Sequence, residues 1–248
     1  MVTDSGTNPL EYYDNNTKNT FELLKLCKQH GINNFIFSST AAVYGEIEGG
    51  ICTEESPTVP INPYGRTKLM TEWMLEDMSF AYPEFNFVAL RYFNVAGANV
   101  DGKIGQSTPN ATHLLKIASE TACGKRDEMN IFGTDYETRD GTCIRDYIHV
   151  DDLAQAHIDA VNYLFNGGKS EIMNCGYGHG FTVKEVIAAL KKVTNIDFKV
   201  VEGPRRAGDA GELKSKADKI KKVLGWTPKY DDLELIAKTA YEWEQKLK

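Results

Sequence analysis

Apolar runs that alternate with amphipathic stretches predict an α/β fold for this chain. Short apolar segments bounded by turn residues are typical of buried strands, and apolar residues that recur every three or four positions are typical of helices. We predict strands at residues 34–38, 85–91, 171–175 and 198–202. We predict helices at residues 9–30, 63–82, 108–124, 150–165, 182–194 and 231–248. Strands and helices in alternation indicate a parallel sheet covered by helices.

The first predicted element is a helix, and no predicted strand precedes it. The sequence contains no G-x-G-x-x-G or G-x-x-G-x-x-G motif, the Gly-rich turn that holds a dinucleotide pyrophosphate at a helix N-terminus. Since a parallel α/β sheet normally begins with a buried strand, we expect that the front of a doubly wound sheet is missing from these residues.

Composition narrows the class of protein. The 248 residues are 42% hydrophobic, enough for one large domain or a body with a smaller lobe. The net charge of -7 argues against nucleic acid, because binding to its backbone needs clustered Lys and Arg. No stretch approaches the ~20 apolar residues of a membrane span, and the N-terminus does not resemble a signal peptide. We therefore expect a cytoplasmic protein that has no membrane or nucleic-acid partner.

The five cysteines lie far apart, with no C-x-x-C motif and no histidine at ligand spacing. This pattern predicts reduced thiols and no metal site.

Tyr64 and Lys68 form a Y-x-x-x-K pair, which places them one turn apart on one face of the helix predicted at residues 63–82. Asn62 suits the N-cap of that helix and Pro63 its first position. A tyrosine hydroxyl has an ordinary pKa of about 10, and a nearby ammonium favours its ionised form. The pair is thus suited to base catalysis, but it occurs often by chance and needs support from its context.

That context is the strand at residues 34–38, which runs directly into Ser39 and Thr40. The carboxyl ends of parallel strands are where open α/β sheets bind ligands. A hydroxyl that orients the substrate, a tyrosine base and a lysine are the groups that oxidation of a secondary alcohol needs. Ordinary turn chemistry at a strand end remains the alternative for Ser39 and Thr40.

Five segments carry a family resemblance. In chain order they are SSTAAVYG (38–45), NPYGRTK (62–68), ALRYFNVAGA (89–98), RDYIHVDDLAQAH (145–157) and PRRAGD (204–209). Together they resemble the extended short-chain dehydrogenases/reductases and, among these, the UDP-glucose (UDP-galactose) 4-epimerases. The resemblance spans essentially the whole chain, and it implies that three βα units, roughly 90 residues, are missing from the front.

The resemblance implies a truncated Rossmann-like doubly wound parallel sheet with a smaller α/β C-terminal substrate lobe. Residues 1–97 and 143–178 would be the remaining part of the NAD-binding domain, and residues 98–142 and 179–248 the UDP-sugar-binding lobe. With the front missing, we expect the strand at 34–38 to be a bare edge, the apolar surface of the helix at 9–30 to be uncovered, and the chain to be poorly stable and to bind NAD weakly.

The resemblance also implies residue roles. Tyr64 matches the catalytic base, Lys68 its partner, and Thr40 the residue that hydrogen-bonds the sugar 4-hydroxyl. The residues expected to bind the cofactor NAD are Asn15, Ser39, Tyr64, Lys68, Tyr92 and Phe93. The residues expected to bind the substrate are Thr40, Tyr64, Asn94, Asn110, Phe132, Arg145, Arg206, Asp209 and Leu213. For His149 and His157 we expect packed structural roles, away from the tyrosine motif.

The implied activity is UDP-hexose 4-epimerisation between UDP-glucose and UDP-galactose, through transient hydride transfer to NAD. The resemblance also implies that the size of residue 213 gates access of the N-acetylhexosamine pair. A homodimer through the helices at 9–30 and 63–82 is also implied. Two alternatives stay open: a UDP-sugar-binding module without redox activity, and a related nucleotide-sugar dehydratase or oxidoreductase. Dehydratases usually carry an acidic pair where this chain has Ala41 and Ala42, which disfavours the second alternative.

Overall fold

The computed structural model describes residues 2–109, 111–206 and 209–247. The helices are α1 (Val2–Thr7), α2 (Pro9–Tyr12), α3 (Asn19–Gln29), α4 (Pro63–Ala81), α5 (Leu114–Ala122), α6 (Val150–Phe165), α7 (Val183–Thr194), α8 (Asp218–Leu224) and α9 (Leu233–Lys246). The strands are β1 (Asn34–Thr40), β2 (Ile51–Cys52), β3 (Asn86–Tyr92), β4 (Asn94–Ala96), β5 (Met129–Phe132), β6 (Ile144–Arg145), β7 (Tyr147–His149), β8 (Glu171–Cys175), β9 (Phe181–Thr182), β10 (Val200–Gly203) and β11 (Glu212–Ser215).

The chain divides into two compact units. The first unit comprises Met1–Tyr92, Gln155–Cys175 and Ser215–Trp226. Its centre is a three-stranded sheet in the order β1-β3-β8, and both strand pairs are parallel, as the sequence predicts. Helix α4 covers this sheet, and the core between them is built from Leu24, Phe37, Leu75, Phe85, Phe87 and Ala89.

Strand β1 lies at the edge of this sheet, since among the described strands it pairs only with β3. The neighbouring α2 and α3 expose large apolar side chains: Leu10 is 80% exposed, and Phe21, Leu23 and Leu26 are each about half exposed. The expected bare edge and uncovered helix surface are thus confirmed. Unpaired strand edges and exposed apolar faces both favour association with other polypeptide chains.

The second unit comprises Phe93–Ala154, Gly176–Lys214 and Thr227–Lys248. It contains the parallel pairs β4–β7 and β5–β10, and a strand group in which β6 pairs in parallel with β11 and antiparallel with β9. Helices α5, α7 and α9 pack against one another. A buried ion pair, with Lys116 Nζ 2.5 Å from a carboxylate oxygen of Glu244, ties α5 to α9.

Two predicted helices differ from the structure. The segment predicted as one helix at 9–30 is interrupted by a π-helical turn at Tyr13–Lys18. The prediction of a helix from residue 108 is wrong, because α5 begins only at Leu114, after an extended His113. Residues 108–113 are mostly polar or turn-forming, so the apolar helical repeat begins only at Leu114. None of the helices in the described ranges is long and apolar enough to cross a bilayer.

Candidate active site

Tyr64 and Lys68 lie in the first turns of α4, in the first unit. The Asn62 side chain accepts a hydrogen bond from Gly65 N at 2.8 Å and Pro63 opens the helix, so the predicted cap is confirmed. Lys68 Nζ donates to the carbonyl oxygen of Ser38 at 3.0 Å and lies 5.9 Å from the centre of the Tyr64 ring. Lysine 68 therefore connects α4 to the carboxyl end of β1.

Thr40, at the end of β1, approaches Tyr64 from the sheet. Its hydroxyl accepts a hydrogen bond from Ala42 N at 3.2 Å, and it lies close enough to the Tyr64 hydroxyl to influence the pKa of that group. In the sheet register, Thr40 lies opposite Tyr92 of β3. The structure thus brings together four residues that the sequence predicts for one site: Thr40, Tyr64, Lys68 and Tyr92.

Burial is the main influence on the pKa values of Tyr64 and Lys68. It raises the pKa of Tyr64 to about 12, Tyr92 adds to the rise, and the nearby Thr40 hydroxyl opposes it. Burial lowers the pKa of Lys68, since a charged ammonium is disfavoured in a poorly hydrated site. Tyr64 is therefore a neutral phenol near pH 7 in this chain, and it needs further positive charge nearby to act as a base.

Ser39, predicted to contact the cofactor, is fully buried. Its hydroxyl donates to a carboxylate oxygen of Glu72 at 2.5 Å, and Glu72 forms a salt bridge of 2.5 Å with Arg91. Sequence reasoning missed both Glu72 and Arg91. A signal was present, because Glu72 follows Lys68 by four residues and Tyr64 by eight, on the same helix face.

The π-helical turn at Tyr13–Lys18 contains Asn15, and it packs against α4. Asn15 donates to the side chain of Asn16 at 3.4 Å, and Asn16 donates to the Thr67 hydroxyl of α4 at 3.0 Å. Just before the turn, the ring of Tyr12 lies edge-on to that of Tyr64, with their centres 6.3 Å apart. Single π-turns are frequent at functional sites, in keeping with the role expected for Asn15.

The two histidines have different surroundings. His149 is fully buried, its Nδ1 accepts a hydrogen bond from Asp151 N at 3.1 Å, and burial lowers its pKa, so the expected packed role is confirmed. The expectation that His157 lies away from the tyrosine motif is wrong. Its Nε2 is 3.2 Å from the Ser38 hydroxyl, and its ring is 6.3 Å from that of Tyr92. Helix α6 brings it to the end of β1 across 119 residues of sequence, a contact that local pattern cannot reveal.

Three of the predicted substrate residues meet in the second unit. The Arg206 guanidinium lies 4.6 Å from the centre of the Phe132 ring, and its Nε donates to Asp209 at 2.9 Å. A guanidinium stacked on an aromatic ring and fixed by a carboxylate is pre-oriented to bind planar or anionic groups. The neighbouring Arg205 instead pairs with Asp135, at 2.7 Å on the surface.

Arg145, Leu213 and Asn94 are also in the second unit. Arg145 and Leu213 lie opposite each other where β6 pairs with β11, and Arg145 donates to the carbonyl of Ala210 at 2.6 Å. Asn94 opens β4, its side chain is exposed, and it lines a largely apolar cavity of about 470 Å³ within this unit. Phe93, predicted to contact the cofactor, is buried just before it. The predicted residue Asn110 lies outside the described residues.

A parallel sheet with a hydroxyl at a strand end, beside a helix bearing tyrosine and lysine one turn apart, defines the class of Rossmann-like α/β proteins that carry a Y-x-x-x-K pair. Residues 1–176 match the NAD dependent epimerase/dehydratase family, and the chain belongs to that family. The family resemblance found in the sequence is thereby confirmed, as is the NAD dependence that it implies.

Individual relatives agree. The chain is 51% identical to a UDP-glucose 4-epimerase of Azospirillum brasilense over 247 residues, which is 100% of this chain and 71% of that protein. It is similar to the structure of the UDP-Glc/GlcNAc 4-epimerase of Campylobacter jejuni (58% identity, TM-score 0.84, 99% of this chain and 74% of that one). It is also similar to a Bifidobacterium longum UDP-glucose 4-epimerase in complex with NAD+ and UDP (38% identity, TM-score 0.94, 99% and 73%). These similarities confirm the predicted Rossmann-like fold class.

Proposed function

We propose that this chain carries the residues of a UDP-hexose 4-epimerase, which interconverts UDP-glucose and UDP-galactose on bound NAD. The observation that carries the proposal is the arrangement of Thr40, Tyr64 and Lys68, in which a strand-end hydroxyl lies beside the tyrosine and a lysine lies one helical turn away. Relatives at 40–51% identity bear the name UDP-glucose 4-epimerase.

The residues fit the nicotinamide-ribose end of NAD. An ammonium has three N–H donors, and among the described residues Lys68 uses one of them, toward Ser38, so that it can also bind ribose hydroxyls. Tyr64, Tyr92, Asn15, Ser39 and Phe93 complete the proposed contacts. When bound, NAD supplies reversible acceptance of a hydride from carbon 4 of the hexose.

Tyr64 is the base in this proposal. It removes the proton of the sugar 4-hydroxyl while Thr40 orients that hydroxyl, and it returns the proton after the sugar has presented its opposite face. Since burial holds the pKa of Tyr64 at about 12, the ammonium of Lys68 and the positive charge of the oxidised cofactor would favour the phenolate only in the loaded site. This couples deprotonation to cofactor binding.

The second unit supplies the proposed nucleotide contacts. Arg145 and Arg206 bind the diphosphate, because guanidinium groups fit phosphate oxygens in pairs of hydrogen bonds. Asp209 accepts hydrogen bonds from ribose hydroxyls, Phe132 flanks the uracil ring, and Asn94 and Asn110 add further diphosphate and nucleotide contacts. The functional division proposed from the sequence assigns residues 1–97 and 143–178 to NAD, and residues 98–142 and 179–248 to the UDP-sugar.

We propose that the chain also accepts UDP-N-acetylhexosamines. Leu213 is a mid-sized side chain at the position expected to gate access of an N-acetyl group. A relative that is 58% identical is named a UDP-Glc/GlcNAc 4-epimerase, which supports this breadth.

A second candidate is a UDP-sugar-binding module without redox activity. One observation favours it: the 248 residues contain no Gly-rich turn to hold the NAD pyrophosphate. Uridine nucleotide binding is common to both candidates, so only turnover that depends on NAD separates them.

The test is conversion of UDP-galactose to UDP-glucose, followed by NMR at millimolar NAD. We expect Tyr64→Phe to abolish conversion and leave UDP binding intact. Tyr241→Phe is the matched control, because the Tyr241 hydroxyl accepts a hydrogen bond from Gln245 at 3.0 Å on α9 and has no role in the proposed reaction. UDP binding without conversion at any NAD concentration supports the binding module instead.

The proposal includes a homodimer through α4 and the helices of residues 9–30. Helix α4 exposes Trp73 and Phe80, which are 52% and 92% exposed and seven residues apart on one face. Large apolar side chains exposed on one helix face, here beside the acidic residues Glu76 and Asp77, favour contact with another protein surface.

A cytoplasmic location is part of the proposal. No disulfide joins any of the five cysteines, all of which lie in the described residues, in accord with a reducing compartment.

A further inference from the structure

Glu72 occupies an unusual position for a carboxylate. Tyr64, Lys68 and Glu72 recur at intervals of four residues along α4, so they lie on one face of the helix. Glu72 is only 1% exposed, whereas glutamates are almost never fully buried unless they are paired. A carboxylate buried on the same helix face as the proposed catalytic pair requires a physical explanation.

The partners of Glu72 come from two strands. Ser39 of β1 donates its hydroxyl to Oε1 at 2.5 Å. Arg91 of β3 donates Nε to Oε1 at 2.9 Å and a terminal nitrogen to Oε2 at 2.5 Å, which makes the ion pair bidentate. One carboxylate therefore fastens α4 to both β1 and β3.

The sheet register locates this connection relative to the site. Ser39 and Arg91 lie opposite each other across β1 and β3, and the next register pair along is Thr40 with Tyr92. Glu72 thus holds the sheet one residue before the two strand ends that approach Tyr64. Its own helix position is one turn beyond Lys68.

Arg91 also has hydrogen-bond partners beyond Glu72. Arg91 donates to the Tyr44 hydroxyl at 3.0 Å, and Tyr44 donates to Oδ1 of Asn174 on β8 at 2.7 Å. Burial alone would lower the pKa of Arg91, but its hydrogen bonds and charge interaction with Glu72 hold it above the ordinary value. The network therefore spans all three strands of the sheet and has satisfied partners at each step.

Stability alone is a poor explanation for this network. Replacing a buried ion pair by apolar residues of similar volume is often neutral or stabilising, because desolvation of both charges offsets their attraction. A bidentate pair does fix direction and distance, which a catalytic helix requires.

We propose that Glu72 is a positioning residue for the reaction. Through Ser39 and Arg91 it sets the spacing between α4, which carries Tyr64 and Lys68, and the strand ends that carry Thr40 and Tyr92. The catalytic consequence rests on the proposed function, whereas the positioning itself does not.

The test compares Glu72→Gln with Glu244→Gln. Glu244 is 2% exposed and forms a buried ion pair of 2.5 Å with Lys116 in the second unit, so it matches Glu72 in burial and in bond length. Ring signals of Tyr64 are recorded by NMR on protein with 13C-labelled tyrosine, and Tyr64→Phe provides their assignment. Turnover of UDP-galactose at saturating NAD is measured on the same samples.

We expect Glu72→Gln to shift the Tyr64 ring signals and to lower kcat about 100-fold, the scale of a 1 Å misplacement, while the KM for UDP-galactose stays within about twofold. Glu244→Gln should leave the Tyr64 signals and kcat unchanged, although it also loses a buried ion pair. If Glu72→Gln does not fold, Ser39→Ala serves instead, because it removes one hydrogen bond, keeps the ion pair and should shift the same signals.

Unchanged Tyr64 signals in Glu72→Gln and Ser39→Ala overturn the proposal, as do equal shifts in the Glu244→Gln control. If Glu72→Gln shifts the Tyr64 signals but the wild type converts no UDP-galactose, the positioning role is supported and the proposed function is contradicted. The two failures are therefore distinguishable.

Discussion

Arg205 and Arg206 are adjacent in sequence but have different surroundings. Arg206 lies over the Phe132 ring and bonds to Asp209, both predicted substrate residues, whereas Arg205 lies over the Tyr136 ring and pairs with Asp135 at the surface. Because lysine cannot reproduce a planar, bidentate guanidinium, we expect Arg206→Lys to weaken UDP binding about tenfold, or about 1.4 kcal/mol. Isothermal titration calorimetry measures this, with Arg205→Lys as the control that should stay within about twofold. Equal losses of UDP affinity in both variants would contradict a specific role for Arg206 in UDP binding.

Leu213 lies opposite Arg145 in the β6–β11 pair, beside the proposed nucleotide contacts. A larger side chain there should exclude an N-acetyl group and spare a smaller hydroxyl. We expect Leu213→Tyr to abolish turnover of UDP-N-acetylglucosamine and to leave UDP-galactose turnover within about threefold, since size exclusion acts on one substrate alone. Parallel assays on both substrates decide the matter, and equal loss on both argues against a gate.

Tyr44 links alkaline pH to stability. Burial raises its pKa to about 12, although Arg91 acts in the lowering direction. The folded state therefore keeps a proton that the unfolded chain releases near pH 10, so this contribution is complete below pH 10 and is lost as pH rises toward 12. Between pH 9 and pH 11 we expect urea unfolding of the wild type to lose about 1 kcal/mol more than that of Tyr44→Phe. Equal losses in the two proteins would show that Tyr44 does not titrate in this way.

At the scale of elements, α4 contributes to both the candidate active site and the proposed dimer interface. One face of the helix carries Tyr64, and another exposes Trp73 and Phe80. If that exposed face forms the proposed homodimer, a buried charge on it should be costly. We expect Trp73→Glu to convert dimer to monomer in sedimentation or light-scattering measurements. The Lys238→Gln change on α9, in the second unit, should leave the dimer intact. A wild-type chain that stays monomeric over a 100-fold range of protein concentration would contradict the proposed dimer.

Apolar periodicity predicted the long helices and the strands β1, β3, β8 and β10, but it missed α8 and the other seven described strands. The helix at 63–82 is found at Pro63–Ala81, because a cap, a proline at the first position and apolar spacing agree there. The π-helical turn at Tyr13–Lys18 has no comparable residue signature, and residues 111–113, which the pattern placed in a helix, are not helical.

Some contacts of the candidate site could be predicted from the sequence, and others could not. The proximity of Tyr64 and Lys68 follows from helix spacing alone, and the approach of Thr40 follows from parallel strand ends. By contrast, the Ser39–Glu72–Arg91 network and the contact of His157 with Ser38 depend on sheet register and on helix packing across long stretches of sequence. Those relations are set by tertiary structure, so sequence pattern could not provide them.

At the scale of the molecule, the open edge of β1 and the exposed side chains of α2 and α3 reduce the apolar area that folding removes from water. We expect these 248 residues to unfold below about 50 °C in a circular dichroism melt, at the low end of mesophile domains. Leu26→Lys, on the exposed face of α3, should leave that midpoint nearly unchanged while reducing aggregation, because it removes apolar surface that is already in water. A cooperative transition well above 50 °C would contradict this expectation.

In the proposed reaction, Tyr64 performs reversible proton transfer on a UDP-hexose held by this chain. The most direct measurement is NMR observation of UDP-galactose with the wild type and Tyr64→Phe, at millimolar NAD and with UDP affinity measured on both. We expect UDP-glucose to accumulate with the wild type and none to form with Tyr64→Phe, while both proteins bind UDP equally. Conversion that persists in Tyr64→Phe, or UDP binding with no conversion by the wild type, would contradict it.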